Sequence, residues 1–309
     1  MSSLNTNIAA MTALQTLSKT NSEMLETQNR VSTGYRVGSA SDNAAYWSIA
    51  TTMRSDNDAV STVADALGLG GATVDVTYTS INNAIKSVSD IKAKLVAARA
   101  PGLDRSKIQS EITALQAGLR STAESAVFSG ENWLMGDSTG NTTKTIVASF
   151  SRDSTGEITI GTIGVDVGPT GSMLFDLSGS NAGLLDQERT VTSGTTYSVF
   201  NLDISALTDS DSDLTDLEDM IKGVDDALAQ MTDAATVIGS AKSRIQLQKD
   251  FVTTLMQSID TGIGQLVDAD MNEESTRLQA LQVRQQLGVQ ALNIANQSAQ
   301  MILQLFQGQ

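Results

Sequence analysis

The sequence predicts a mostly α protein with long helices at both ends and a small β-rich insertion in the middle. Three observations carry this. Apolar residues recur at alternating three- and four-residue steps over long stretches of both halves. Aromatic residues make up only 4% of the chain and only Pro101 and Pro169 are proline, a balance that favours helices over a large β-sandwich. Ten of the 24 glycines fall between Gly136 and Ser205, among runs that alternate in polarity.

The first helix follows Leu4, Ile8, Met11, Leu14, Leu17, Met24 and Val31, with Asn21 and Gln28 in phase, and should stop near Gly34. Gly34 and Gly38 bracket a joint, after which Ser41 or Asp42 can cap the next helix through its free N–H groups. That second stretch starts at Ala44 and reaches Ala98. Local reading would break it, because Gly68, Gly70 and Gly71 interrupt it and Thr73–Thr79 alternates like a strand. Asp104 caps a third helix striped by Ile108, Ile112, Leu115 and Leu119, which ends near Phe128–Gly130.

Between Gly136 and Ser205, the runs Thr145–Ser151, Glu157–Val167 and Tyr197–Ile204 read as short strands, with turns at Asn181–Gly183 and Ser193-Gly194. An unbroken three/four alternation follows from Leu214 to Leu266, about 80 Å of helix at 1.5 Å per residue, with Lys242 and Lys249 as the only intruders. Thr215 and Glu218 form a capping box near its start. Asp270 with Glu273 opens a last helix to Phe306 that carries two seams. One reads Leu281, Gln285, Gly288, Leu292, Ala295, Ala299, Ile302, Phe306; the other reads Leu287, Ala291, Ile294, Ser298, Met301, Leu305. Adjacent residues lie about 100° apart around a helix, so the seams face different neighbours. The N-terminal helix can be one of them, and the other must come from elsewhere.

Charge points to what that other neighbour is. The formal net charge is −15, yet neither Met1–Ser18 nor Gln285–Gln309 contains one charged side chain. Gln, Asn, Ser and Thr hold the non-aliphatic positions there, and these pack closely without the desolvation cost of an ion. Both ends therefore read as covered surfaces, with another copy of the same chain as the cover.

The acidic balance argues against nucleic acid and anionic membranes as partners. No cysteine or histidine is present, which removes the thiol nucleophile, the commonest neutral-pH acid/base and the usual zinc and iron ligands. No cofactor or metal is expected. No apolar run approaches the roughly 18 residues of a membrane span, and the N-terminus lacks the basic flank and compact apolar block of a signal peptide. If the chain leaves the cell, it needs an exporter other than the general secretory route.

Other motifs read as structural. Asp209–Asp213 resembles the start of a calcium loop, but Leu214 stands where the turn wants Gly and Met220 where a bidentate Glu is needed. It is taken as the acidic first turn of a helix. Gly68–Gly71 lacks the lysine of a phosphate loop, and Asp225-Asp226 has no partner for acid/base work. Asn141-Thr-Thr143 is a formal glycosylation sequon that decides nothing. Tyr46 and Trp47 are read as packing anchors beyond the joint.

Four segments together resemble the bacterial flagellins, most of all the short alphaproteobacterial kind. They are LNTNIAAMTALQTL from Leu4, VSTGYRVGSASDNAAYWSIATTMRSD from Val31, IQSEITAL and VFSGENWL from Ile108 and Val127, and STRLQALQVRQQLGVQALNIANQSAQMILQLF from Ser275. The resemblance covers roughly the first 135 and last 95 residues, and the middle does not match closely.

The resemblance implies a chain folded back on itself, with hairpin-folded coiled-coil helices from both termini in the inner tube of a helical filament used for swimming. It implies an inner coiled coil from 1–40 and 269–309, a helical core from 41–135 and 206–268, and a variable outer segment at 136–205. It also favours one continuous helix through Gly68–Thr79. The polymerisation surface is then expected at Leu4, Ile8, Met11, Leu14, Leu17, Leu287, Leu292, Ile294, Met301, Ile302, Leu305 and Phe306. The joint is expected at Gly34, Arg36, Gly38, Asp42, Asp268 and Asp270.

Implied partners are other flagellin subunits, an export chaperone holding Met271–Phe306, and hook-associated and cap proteins. The implied location is the extracellular filament, reached through the flagellum's own type III channel. Where some flagellins present an Arg-Glu-Leu patch to an innate immune receptor, this chain has Lys92, Ala93 and Lys94, which argues against that recognition. A hook-filament junction protein shares the terminal helices and is the alternative; a secreted coiled-coil enzyme or adhesin active in Gly136–Ser205 is the reading from another class.

Overall fold

The computed structural model describes residues 7–153, 155–169, 171–180 and 182–307; the side chains of Ala299 and of residues 302–307 lie outside that description. Among the described residues are five helices: α1 (Ile8–Thr33), α2 (Ala44–Ala98), α3 (Arg105–Ser125), α4 (Asp211–Val267) and α5 (Met271–Gln307). Among the described residues eight strands lie between α3 and α4, of which two are long: β4 (Thr143–Arg152) and β5 (Ile158–Asp166). The others are two-residue strands: β1 (Val127–Phe128), β2 (Glu131–Asn132), β3 (Met135–Gly136), β6 (Phe175–Asp176), β7 (Arg189–Thr190) and β8 (Thr196–Tyr197). The chain divides into two compact units, Met1–Asn57 with Gln257–Gln309, and Asp58–Met256.

Within Asp58–Met256, α2 and α4 run antiparallel. The ion pairs Arg99–Glu218, Lys92–Asp225 (2.5 Å) and Lys242–Asp75 (2.8 Å) climb one helix while descending the other. One core joins Ile81, Ile91 and Leu95 of α2, Ile112 and Leu119 of α3, and Leu217, Val224 and Met231 of α4. It is closed by Leu174, Leu185, Val199 and Leu202 from the inserted segment. A second core sets Leu67, Val74, Ile238 and Ile245 against Ile146, Ile163 and Val165 of the β4–β5 hairpin.

That hairpin explains why α2 is unbroken. A Cβ on Gly70 would lie 2.5 Å from Ile146 Cγ2, so the glycine opens room for the strand rather than ending the helix. Thr73 and Thr77 back-bond to Leu69 O (3.1 Å) and Thr73 O (2.9 Å), and the strand-like alternation yields to the cores that the helix face fills.

Strands β4 and β5 pair antiparallel with a bulge between Val147 and Ser149, where the first two expected runs lie. The third expected strand, Tyr197–Ile204, does not form beyond Tyr197. Amide side chains of α3 take the place of a partner strand. Gln116 Nε2 donates to Val199 O and Leu202 O, both at 3.1 Å, and Gln109 Oε1 accepts from Ile204 N at 3.0 Å. The backbone is satisfied without a ladder while Val199, Leu202 and Ile204 fill the core.

Two helix ends also differ from expectation. α3 stops at Ser125, short of Phe128, because β1 and β2 form a tight hairpin over Ser129 and Gly130, both with left-handed φ (52° and 83°). α4 starts at Asp211, where Ser210 Oγ accepts from Asp213 N at 3.2 Å, so the Thr215/Glu218 box is not formed. Thr215 instead donates to Asp211 O (2.8 Å) and Glu218 pairs with Arg99. The expected cap at Asp104 is present, accepting from Ser106 N at 3.1 Å.

Candidate assembly surface

The terminal helices α1 and α5 pair with each other within the unit Met1–Asn57 with Gln257–Gln309. Their seam buries Thr20 and Thr27 of α1 and Glu274 and Leu281 of α5. Close approach occurs at Gly288, where an added Cβ would sit 3.3 Å from Leu17 Cδ1. Polar groups fix the register along the seam. Asn7 Nδ2 donates to Ala295 O at 3.0 Å, Gln285 Nε2 to Asn21 Oδ1 at 2.8 Å, and Arg30 to Glu274 Oε1 at 3.2 Å. Glu26 holds the other end of the Arg30 fork at 2.5 Å.

The expected surface residues divide between two faces. Leu17 and Leu292 are half-buried, on the faces turned to the seam. Ile8, Met11 and Leu14 are each more than half exposed, as are Leu287, Ile294 (64%) and Met301. The residue Leu4 and the side chains of Ile302, Leu305 and Phe306 lie outside the described residues. Of the two α5 seams, the one through Leu281, Gln285, Gly288, Leu292 and Ala295 is thus turned inward and the one through Leu287, Ile294 and Met301 outward.

The single α1 stripe read from sequence is two stripes. Three successive three-residue steps separate Ile8 from Leu17, and nine residues at about 100° each turn the helix to its opposite side. Sequence reading missed the polar half of the seam, Asn7, Thr20, Thr27, Arg30 and Glu274. The seven-residue interval between Thr20 and Thr27 was its one available signal.

The joint residues form a clasp. Gly34 ends α1 with φ +77°, its N–H bonding Arg30 O at 2.8 Å while its own carbonyl accepts from Ala269 N at 2.8 Å. Tyr35 pairs with Asp268 in an antiparallel bridge, and the N–H groups of Arg36 and Val37 both reach Val267 O, at 2.7 and 3.2 Å. The Arg36 guanidinium donates to Leu266 O at 2.9 Å, placing positive charge on the free carbonyls at the end of α4.

Asp42 Oδ2 accepts from the N–H groups of Ser39 (2.9 Å) and Gly38 (3.0 Å) and from the Ser39 hydroxyl (3.0 Å). Those bonds, Ser39 N–H foremost, hold its carboxyl below the usual range. Asp42 thus ties the loop, and the cap of α2 is Asn43 instead of Ser41 or Asp42: its Oδ1 accepts from Ala45 N and Tyr46 N at 3.1 and 3.2 Å. Asp270 caps α5 as expected, through Asn272 N (2.9 Å) and Glu273 N (3.3 Å).

Tyr46 and Trp47 do not pack inside as anchors. Val37, Ala50, Ile263 and Val267 close the small core beside them, and both aromatic side chains remain about two-fifths exposed. Elsewhere, Asp209 is taken by Arg105 (2.7 Å), and Asp213 accepts from Thr208 N (2.7 Å) and its hydroxyl. Among the described residues no group of three or more metal-ligating side chains occurs. Lys92 and Lys94 pair with Asp225 and Glu111 of their own chain.

Comparison with known proteins agrees with this architecture. Residues 4–139 match the sequence model of the bacterial flagellin N-terminal helical region, and residues 221–306 that of the bacterial flagellin C-terminal helical region. The chain is 49% identical over 322 residues to flagellin C of Rhizobium meliloti (strain 1021), covering 99% of this chain and all of the relative. It is 44% identical over 395 residues to flagellin A of the same strain, with the same coverage. To a flagellin of Brucella melitensis biotype 1 it is 45% identical over 309 residues, with both chains covered in full.

Proposed function

This chain belongs to the bacterial flagellin family, a structural subunit of the flagellar filament, and we propose that its polymerisation is driven by the apolar stripes that α1 and α5 leave uncovered. The observation carrying this is the coincidence of exposure with missing charge. Ile8, Met11 and Leu14, and Leu287, Ile294 and Met301, stand in water on stretches without one ionic side chain to keep them there. Covering the exposed part of each such side chain by a second copy contributes up to about 1–2 kcal/mol before the costs of association. The seam between α1 and α5 buries Leu281 and brings Leu17 against Gly288, and its polar contacts set the register.

In this reading 1–40 and 269–309 form the inner coiled coil of the filament, 41–135 and 206–268 the helical core, and 136–205 the outer segment. Gly34, Arg36, Gly38, Asp42, Asp268 and Asp270 set the joint. The filament is extracellular, reached by the flagellar type III channel, with a chaperone covering the α5 stripe beforehand and hook-associated and cap proteins at the filament ends. Its role is mechanical, and no catalytic step is assigned to it.

Electron microscopy of the purified chain after self-assembly tests the reading. Long tubes are expected; rings, or no polymer at all, would contradict it. Ile294→Asp places a charge on the outward stripe, 64% exposed in one chain, and should abolish tubes without lowering helix content. Normal tubes from Ile294→Asp would remove the α5 stripe from the contact.

A further inference from the structure

The chain has eleven methionines and no cysteine, so thioether sulfurs are the first atoms in it that a peroxide meets. Met1 lies outside the described residues. Met173, Met220 and Met231 are buried, and Met24, Met53, Met135 and Met256 are half-buried. The other three, Met11 (58% exposed), Met271 (44%) and Met301 (61%), all stand on the terminal helices.

Two of these differ from the third in their surroundings. Met11 sits between Ile8 and Leu14 on the uncovered stripe of α1, and Met301 follows Leu287 and Ile294 on the outward seam of α5. Both lie in the stretches without one charged side chain, Met1–Ser18 and Gln285–Gln309. Met271 opens α5 among Asp268, Asp270, Glu273 and Glu274. A polar group gained at Met271 stays among ions and water. The same group gained at Met11 or Met301 has to shed its water when a second chain covers the stripe.

We propose that Met11 and Met301 are modification sites at which a hydroperoxide stops polymerisation. The proposal rests on the filament reading and adds to it a chemical control. The thioether sulfur attacks one peroxide oxygen, and the S–O bond forms as the O–O bond breaks. Sulfur gives up two electrons, and the second oxygen leaves as water with the proton of the first. The product sulfoxide is polar, and an apolar cover leaves its oxygen without a donor. Neither side chain belongs to a buried core, so the chain folds alike before and after oxidation. A sulfur already covered by a second copy is out of the oxidant's reach, so the control acts on subunits before they join.

The wild type tests this without any substitution. Dilute monomer is oxidised in part with hydrogen peroxide, polymerised and sedimented, and both fractions are mapped by peptide mass spectrometry. Sulfoxide at Met11 and Met301 should be at least about tenfold richer in the supernatant than in the polymer, with Met271 sulfoxide equal in both. Critical concentrations, each measured against the variant's own untreated chain, should rise on oxidation of Met271→Leu and hold still for Met11→Leu combined with Met301→Leu. Met11 and Met301 sulfoxides divided evenly between the fractions, or all three excluded alike, overturn this proposal and leave the filament reading standing. Failure of the untreated chain to polymerise at all removes the filament reading and this proposal with it.

Discussion

At the scale of single residues, two glycines a turn-half apart in α2 should answer the same substitution with opposite signs. Alanine in a helix interior is ordinarily better than glycine by about 0.5–1 kcal/mol, since it gives up less backbone freedom on folding. Gly68 has nothing within 4 Å of a built Cβ, so Gly68→Ala should gain about that much. Gly70 faces three Ile146 atoms at 2.5, 2.8 and 2.9 Å, where a methyl forces the hairpin off the helix. Gly70→Ala should therefore lose about 1–3 kcal/mol, the usual cost of overpacking. Thermal unfolding followed by circular dichroism separates the two, and a Gly70→Ala chain as stable as Gly68→Ala would show that the hairpin does not press on α2. Sequence alone marks both as helix-breaking, because the reason for the second glycine lies about seventy-five positions away in Ile146.

At the scale of elements, the long helices were legible because periodicity is a local property, and the bounds of α2 follow from it once the glycine stretch is read as helical. What local reading misplaces depends on partners. Tyr197–Ile204 alternates like a strand yet is held by Gln109 and Gln116 of α3. The Tyr46–Trp47 pair looks like core and is not. In the α1–α5 seam the polar half was hidden for the same reason: Glu274, 5% exposed, reads as a surface acid until Arg30 is found beside it. A buried ion pair contributes little net stability but is costly to halve. Arg30→Met alone leaves the Glu274 carboxylate to Arg277, at 3.6 Å, and should cost about 1–3 kcal/mol, while Arg30→Met with Glu274→Leu should fall within about 1 kcal/mol of the wild type. Chemical unfolding of the two variants and of Glu274→Leu completes the cycle; equal losses for the single and double Arg30 variants would deny the pair its part in the seam.

At the scale of the whole molecule, the question is how far the middle segment is separable from the helices. Residues 140–220 fall between the stretches that match the two flagellin regions, and the alignment to flagellin A runs to 395 residues against 309 in this chain, so relatives accommodate extra residues. The segment is nevertheless not a loose appendage. Ile146, Ile163 and Val165 complete one core of the Asp58–Met256 unit, and Leu174, Leu185, Val199, Leu202 and Ile204 complete the other. Excising 136–205 takes those side chains out of both cores, and at about 1.5–3 kcal/mol for each helix side chain left uncovered the loss is a large part of the roughly 5–15 kcal/mol that holds a typical domain together. The turn between β4 and β5 carries none of that burden. Asp153 N bonds Glu157 O at 3.0 Å across it, Gly156 has φ +89°, and its described residues are exposed. Ten Gly/Ser residues inserted after Gly156 should cost less than about 1 kcal/mol, since loop closure grows only with the logarithm of length, and should leave polymerisation intact. Deletion of 136–205 should lower the unfolding temperature of the helices and expose dye-binding apolar surface. A deleted chain that melts with the wild type and still forms tubes would mean that the helices close their cores without the insertion.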